Sequence, residues 1–400
     1  MTDLPLTTDQ AAPLAGARRH ARWRDWALNL MTAAVGLGVA FGLAELAVRW
    51  LAPQELIIKR PDIWRAVDTL GWVHWPDINT TINTGDRTVR LITDRDGFRV
   101  GATGRVDGKK RILLLGDSFM EAVQVEYEQS LAGLLETRLA ARFNEPVAVR
   151  NTGVGGWDPP QYLLEARREL ERERFDLALV SVYLGNDIVQ HSVERYPPRA
   201  PAELHQLRLP RSFSYGELID AVLYPINDFL EVRSQLYVFC KTRLDVLLRQ
   251  LGLTAAYFPD DLLRQETDSP RWSVTAQILS DIRDVARAHG VRTLFVLVPS
   301  PAQVDSGEFL RDLKGFRIDP AAVDITQPDR LLTAAMKEHE LDLVDVFPEF
   351  QRAERAGAHL YGAVSRHLSP AGHALLEQVL EPLVVARLAT PGRRPLTVRP

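Results

Sequence analysis

The sequence predicts a three-layer α/β/α domain on a five-stranded, mostly parallel sheet, with a transmembrane helix at its N-terminus. Three observations lead there: short apolar runs closed by glycine or polar residues, helix-patterned segments between them, and one long uncharged run near the start. The first apolar run is RILLLG, 111–116. Residues 119–142 then carry a helical pattern with Leu131, Leu134, Leu135 and Leu139 on one side. A second strand, PVAVR at 146–150, runs into Asn151 and a glycine cluster, and a helix follows at about 160–174. DLALVSVYL, 176–184, reads as the third strand. A long helix at about 272–289 stops at Gly290, a fitting C-terminal residue. RTLFVLV, 292–298, is the fourth strand; a helix near 328–339 and LDLVDVF, 341–347, supply the fifth. Ser369-Pro370 opens the last helix. Strands that alternate with helices make a parallel sheet covered on both faces, and ligands of such sheets collect beyond the strand carboxyl ends.

Residues 27–44, ALNLMTAAVGLGVAFGLA, are uncharged and suit a bilayer-spanning helix of about 20 residues. Trp26 and Trp50 flank the run at the level of interfacial aromatics. Arg18, Arg19, Arg22 and Arg24 precede it and favour a cytoplasmic N-terminus, although Arg49, Lys59 and Arg60 lie on the other side. The expected organisation is a cytoplasmic tail at 1–26, an anchor at 27–51, an extension at 52–107 that wraps the core, the α/β domain at 108–388 and a disordered tail at 389–400. The expected location is a bacterial inner membrane, single-pass, with the α/β domain on the periplasmic side. A buried core helix and a cleaved signal peptide are the competing readings of the apolar run; Gly38-Val39-Ala40 is a loose cleavage match. Residues 188–271 interrupt the alternation. They are Pro-rich at 197–210 and helical from about 216 to 252, with Pro225 expected to break that helix, and they read as a lid or as a packing embellishment. Residues 1–17 and 390–400 have the composition of tails.

Lys plus Arg total 48 against 52 for Asp plus Glu, which gives no electrostatic reason to bind nucleic acid. Cys240 is the single cysteine, so neither an internal disulfide nor a cysteine zinc site can form. No His-Glu-x-x-His spacing occurs. Gly108-Lys109 fails as a P-loop, with Thr103 in place of its first glycine and Lys110 in place of Ser or Thr. No cofactor or metal is expected.

The chemistry-bearing residues sit at the ends of the inferred strands. Gly116-Asp117-Ser118-Phe119 places a serine after the first strand, at a helix N-terminus whose free N–H groups favour negative charge. Taken alone such a serine is as readily a helix cap. Asn151 to Gly156, with three glycines, turns the backbone after the second strand and exposes N–H groups; a plain tight loop would look the same. Gly185-Asn186-Asp187 follows the third strand, and Asn186 is either a donor into the same crevice or a turn residue. His367, just before the last helix, can accept a serine proton, while His373 lies inside that helix and reads as structural.

In the order Ser, Gly, Asn, His, these blocks resemble the SGNH, or GDSL, hydrolase superfamily, over roughly residues 90–388 without the insert. Asp94-Arg95-Asp96-Gly97-Phe98-Arg99 is similar to a lead-in of membrane-anchored bacterial members. The resemblance implies a flavodoxin-like sheet and an ester hydrolase. It implies Ser118 as nucleophile, His367 as general base, and an oxyanion hole of the Ser118 N–H, the Gly156 N–H and the Asn186 side chain. The partner would be a small-molecule or glycan ester, reached from a membrane through one helix.

The sequence departs from that pattern in one place. The family places an aspartate two or three residues before the histidine, where this chain has Ser365 and Val364. Three readings are open: a Ser–His dyad backed by a backbone carbonyl, a substitute acid such as Asp345, or a relative that binds its ligand without catalysis. An O-acyltransferase sharing the acyl-enzyme is the alternative among enzymes.

Overall fold

The computed structural model describes residues 13–54, 62–188, 226, 229–230, 233–251 and 258–389. Residues 1–12, the Pro-rich stretch at 197–210, Pro225 and the C-terminal tail from 390 lie outside the described residues.

Helix α1 (Pro13–Leu51) carries the apolar run, and its start takes in part of the expected N-terminal tail. Its segment Leu28–Leu51 has a mean hydropathy of 1.8 and none of it is buried by the rest of the protein, which excludes a core helix. Length and composition suit a membrane span. The carboxyl end of α1 is also built into the domain. Glu45 accepts from Ser234 Oγ (2.8 Å) and from the N–H groups of Gln235 (2.9 Å) and Leu236 (3.0 Å), and Arg49 donates to the Arg233 carbonyl (3.0 Å).

Two antiparallel hairpins follow: β1 (Trp64–Val67) with β2 (Gly71–His74), and β3 (Asn79–Asn83) with β4 (Thr88–Ile92). Sequence reading left 52–107 as a wrap without elements, because strands of four or five residues with mixed burial give little periodicity. The central sheet contains β5 (Lys110–Leu115), β6 (Val147–Asn151), β7 (Leu177–Tyr183), β8 (Arg292–Val298) and β9 (Leu343–Asp345), all parallel, in the order β6-β5-β7-β8-β9. Leu113 and Leu115 pack into one face with Ala178, Val180 and Val182; Ile112 and Leu114 pack into the other with Leu177 and Leu179. That alternation follows from the period of two along a strand. The first face is covered by α4 (Pro159–Arg172), α6 (Arg271–Ala288) and α9 (Gln327–Glu338). The second is covered by α3 (Leu131–Phe143), α10 (Phe347–Arg355) and α11 (Pro370–Ala389). The three-layer α/β/α expectation therefore holds. Of the insert, α5 (Gln235–Gln250) is described and packs against α1 and α8 (Ser306–Phe316). Three helices after β8 were not read from the sequence: α7 (Pro301–Val304), α8 and α10.

The helical pattern expected over 119–142 is interrupted. It splits into α2 (Ser118–Glu121), a 3₁₀ turn at Tyr127–Gln129 and α3. Ala122 takes the left-handed conformation (φ 54°) and Ser130 caps α3 afresh through Gly133 N. The break survives because fully buried Arg99 donates to the carbonyls of Glu121 (2.9 Å), Ala122 and Val125 (2.6 Å), which have left the helical ladder. Buried carbonyls need such a partner. Replacing Arg99 by Met should lower stability by about 3 kcal/mol, since it leaves the Glu121 and Val125 carbonyls without this donor, while the Ala122 carbonyl keeps the Val125 N–H (3.1 Å). Thermal unfolding of the detergent-solubilised protein reads this; an unchanged Tm would mean that water satisfies the carbonyls instead.

Candidate active site

In the order β6-β5-β7 the chain leaves β5 to one side and returns on the other, so the crevice of this sheet opens between β5 and β7. Ser118 stands just beyond β5 and Asn186 on the turn beyond β7. Asp117 caps α2 by accepting from Phe119 N (2.9 Å), which leaves Ser118 as the first residue of the helix, half-buried.

His367 Nε2 lies 2.8 Å from Ser118 Oγ across 249 positions of chain. Its Nδ1 lies 2.8 Å from the Ser365 carbonyl. A carbonyl can only accept, so Nδ1 carries the proton and Nε2 is left to accept from the serine. The second neighbour of Ser118 Oγ is Asp117 Oδ2 at 3.4 Å, too long to compete for the single hydroxyl proton. Burial pushes the His367 pKa below its usual value, against the opposing pull of the Ser365 carbonyl and the charges of Glu121 and Asp86. The ring therefore stays neutral and able to accept at neutral pH.

The loop at 151–156 closes the other side. Asn151 donates to the Met120 carbonyl (2.7 Å) and accepts from Gly153 N (3.0 Å). A β-carbon at Gly155 would sit 2.9 Å from Glu121 Oε2 and 3.6 Å from Ser118 Cβ, so this loop abuts the serine. Gly156 has φ +78°, and a β-carbon there would press within 3.0 Å of the Trp72 ring. Asn186 is exposed, its N–H bonded to the Tyr183 carbonyl (3.3 Å).

Asp345 is in a different place. It ends β9, three strands from β5, or about 14 Å at the usual strand spacing. Its carboxylate accepts from Phe347 N (2.9 Å) and bonds to the buried Asp329, whose pKa burial and Asp345 raise to about 8. The group beside Nδ1 is the Ser365 carbonyl, the backbone arrangement among the open readings. His373 is buried in α11 and accepts from Leu131 N (3.3 Å), with its pKa pushed down to about 3 by burial, which fits a structural group at the start of α3.

Several residues around the site were missed in the sequence. Glu121, buried one turn after Ser118, accepts from His74 Nε2 (2.6 Å) and Trp64 Nε1 (2.9 Å). Trp72 donates to the Gly155 carbonyl (2.7 Å) and Trp157 to the Trp72 carbonyl (2.9 Å). Asp86, at the tip of the β3–β4 hairpin, accepts from Val364 N and Ser365 N, both at 2.9 Å. The sequence signal was the cluster of tryptophans and histidine at 64–75, dense for a segment without periodicity. Next to the serine, burial raises Asp117 to about 7, and Asp187, which accepts from Tyr183 N (2.8 Å) and Tyr162 Oη (2.9 Å), is raised by burial and by Asp117. Among the described residues no group of His, Cys, Asp and Glu is arranged to hold a metal.

An NMR titration of His367 in detergent micelles should give a midpoint below 6.5, the usual histidine value, because burial opposes the charged ring. A midpoint at or above that value would mean that the neighbouring anions outweigh burial.

No family model matches the chain, and neither does any curated protein. Among solved structures, it is similar to a member of the lipolytic G-D-S-L family from Veillonella parvula, at 12% identity and TM-score 0.36, over 68% of this chain and 97% of that one. It is similar to the acetyl xylan esterase AlAXEase at 12% identity and TM-score 0.38, over 68% and 99%. A lipase/acylhydrolase from Enterococcus faecalis gives 15% identity and TM-score 0.36, over 70% and 96%. Scores of this size leave the architecture to rest on the strand order and register.

Proposed function

We propose that this chain is a membrane-anchored serine hydrolase of the SGNH type that cleaves ester bonds through an acyl-enzyme. The observation that carries the reading is the 2.8 Å bond between Ser118 Oγ and His367 Nε2, with Nδ1 held by the Ser365 carbonyl. That pairing gives a nucleophile, a base within reach and an orienting group behind the base.

Ser118 Oγ attacks the ester carbonyl as His367 takes its proton. The tetrahedral oxyanion is met by the N–H groups of Ser118 and Gly156 and by the Asn186 side chain. Collapse expels the alcohol, which takes the proton from His367 and leaves the acyl group on Ser118. Water then gives its proton to His367, attacks the acyl carbon and restores the serine. A sugar hydroxyl in place of that water would make the same intermediate a transferase. The proposed substrate is an ester of an envelope glycan or lipid, and the proposed location is the periplasmic face of a bacterial inner membrane. What supports the anchor is the segment Leu28–Leu51, apolar and unburied by the rest of the protein over the length that a membrane span needs.

A fluorophosphonate probe should label the folded wild-type protein, fail on Ser118→Ala, and label His367→Ala about 10²–10⁴-fold more slowly. No labelling of a folded protein would leave a ligand-binding relative as the better reading. Asn186→Ala should lower kcat by about 10²–10³-fold with KM little changed, as expected for a donor whose bond strengthens in the transition state. A matching loss of affinity for an unreactive analogue would remove Asn186 from the oxyanion hole.

A further inference from the structure

The base of the proposed site lacks a carboxylate behind its imidazole, and the residue where one is expected is Val364 or Ser365. The carboxylate of Asp86 reaches those same two residues from 278 positions upstream. One oxygen accepts from Val364 N at 2.9 Å and the other from Ser365 N at 2.9 Å. We infer that Asp86 is the positioning acid of this site, acting on His367 through the backbone of the 364–365 turn. The inference rests on the Ser118–His367 reading.

The geometry leaves the carboxylate little other work. The hairpin turn closes without it, through Thr84 N to the Arg87 carbonyl (3.0 Å) and Gly85 N to Asn83 Oδ1 (2.9 Å). Both hydrogen bonds of Asp86 cross to the histidine loop. The contact is close on both sides: Gly85, at φ +86°, has no room for a β-carbon, which would lie 2.6 Å from Val364 Cγ1, and a β-carbon at Gly362 would run into Asp86 Oδ2. Ser365 connects the two ends of the device. Its N–H is held by Asp86, and its carbonyl holds His367 Nδ1. The two groups lie in successive peptide planes: Asp86 anchors the plane before Ser365, and the Arg366 N–H on the Gly362 carbonyl (3.0 Å) anchors the plane that carries the Ser365 carbonyl, so the turn is held on both sides of Ser365.

The same carboxylate brings a negative charge toward the imidazole, which would otherwise become cationic without an anion on its own loop. The charged and titratable groups around His367 are few. Glu121 faces it from α2, Asp86 from the hairpin, and neutral His373 from α11. Tyr183 and Tyr361 flank Phe119, which packs against the ring. Arg366 on the same loop is paired with Glu308 (3.1 Å) and Asp312 (2.8 Å) of α8. Asn at 86 would keep the size but lose the charge, and would turn an NH₂ against one of the two N–H groups.

The test uses full-length protein in detergent, with fluorophosphonate labelling rates followed across pH for wild type, Asp86→Asn, Asp86→Glu and Ser118→Ala, and Tm measured for each. Asp86→Asn should label roughly 10- to 100-fold more slowly at neutral pH. Its acid limb should move to lower pH, because removing an anion withdraws support from the imidazolium and lowers the His367 pKa. Asp86→Glu should keep the wild-type limb with a partial rate. Asp86→Asn labelling at the wild-type rate, or labelling slowly with an unmoved limb and a lower Tm, would overturn the role of Asp86 while Ser118 stayed reactive. A folded wild type that does not label would bring down the site reading together with this one.

Discussion

The hydrogen bond between Ser118 and His367 is the constraint on which the arrangement depends, because it joins two loops that no local interaction brings together. One loop is fixed by β5 and by the cap that Asp117 provides to α2. The other is fixed at three points: the Tyr361–Leu368 bridge, the ion pairs of Arg366 to α8, and the Asp86 carboxylate. Arg366 sits at φ +59°, a conformation that a non-glycine residue keeps only when its surroundings impose it. A short O–H···N contact whose two loops are each held independently is preorganised.

The residues at 62–107 are more than a wrap. Trp72 fastens the 151–156 loop, His74 and Trp64 hold Glu121 beside the serine, Arg99 collects the carbonyls of the broken helix, and Asp86 holds the histidine loop. The Asp94 to Arg99 motif explains part of this. Asp94 accepts from Asp96 N and Phe98 N (2.9 Å each) and Gly97 turns at φ +88°, which sends Arg99 inward under the segment that follows α2. The lead-in is thus a support for the segment after Ser118, and its buried arginine replaces the helical ladder that Ala122 interrupts.

The central sheet was legible because each strand is apolar, short and bounded, and because parallel strands must be buried on both faces. β5 to β8 fall within about one residue of the expected bounds, while β9 is shorter than LDLVDVF suggests, since Val346 leaves the extended conformation to start α10. The single helix expected over 119–142 was misread for a related reason. The leucines that suggest the helix, Leu131 to Leu139, all lie after the break in α3, and the cause of the break, Arg99, comes from outside the segment. α7 and the strands of the two hairpins were invisible to a pattern search for lack of length.

By itself the sequence determined the strand-end placement of Ser118, the glycine loop and Asn186, and the apolar length of α1, because each follows from local periodicity and turn chemistry. It also showed that no acidic side chain stands two or three residues before His367. Only the tertiary structure decided what stands there instead: a backbone carbonyl at Nδ1, with Asp86 delivered from a distant hairpin to the N–H of the same residue. It likewise put Asp345 at the far edge of the sheet, bonded to Asp329. Such contacts depend on strand order and on how a hairpin docks across a sheet edge, and neither leaves a periodic mark along the chain.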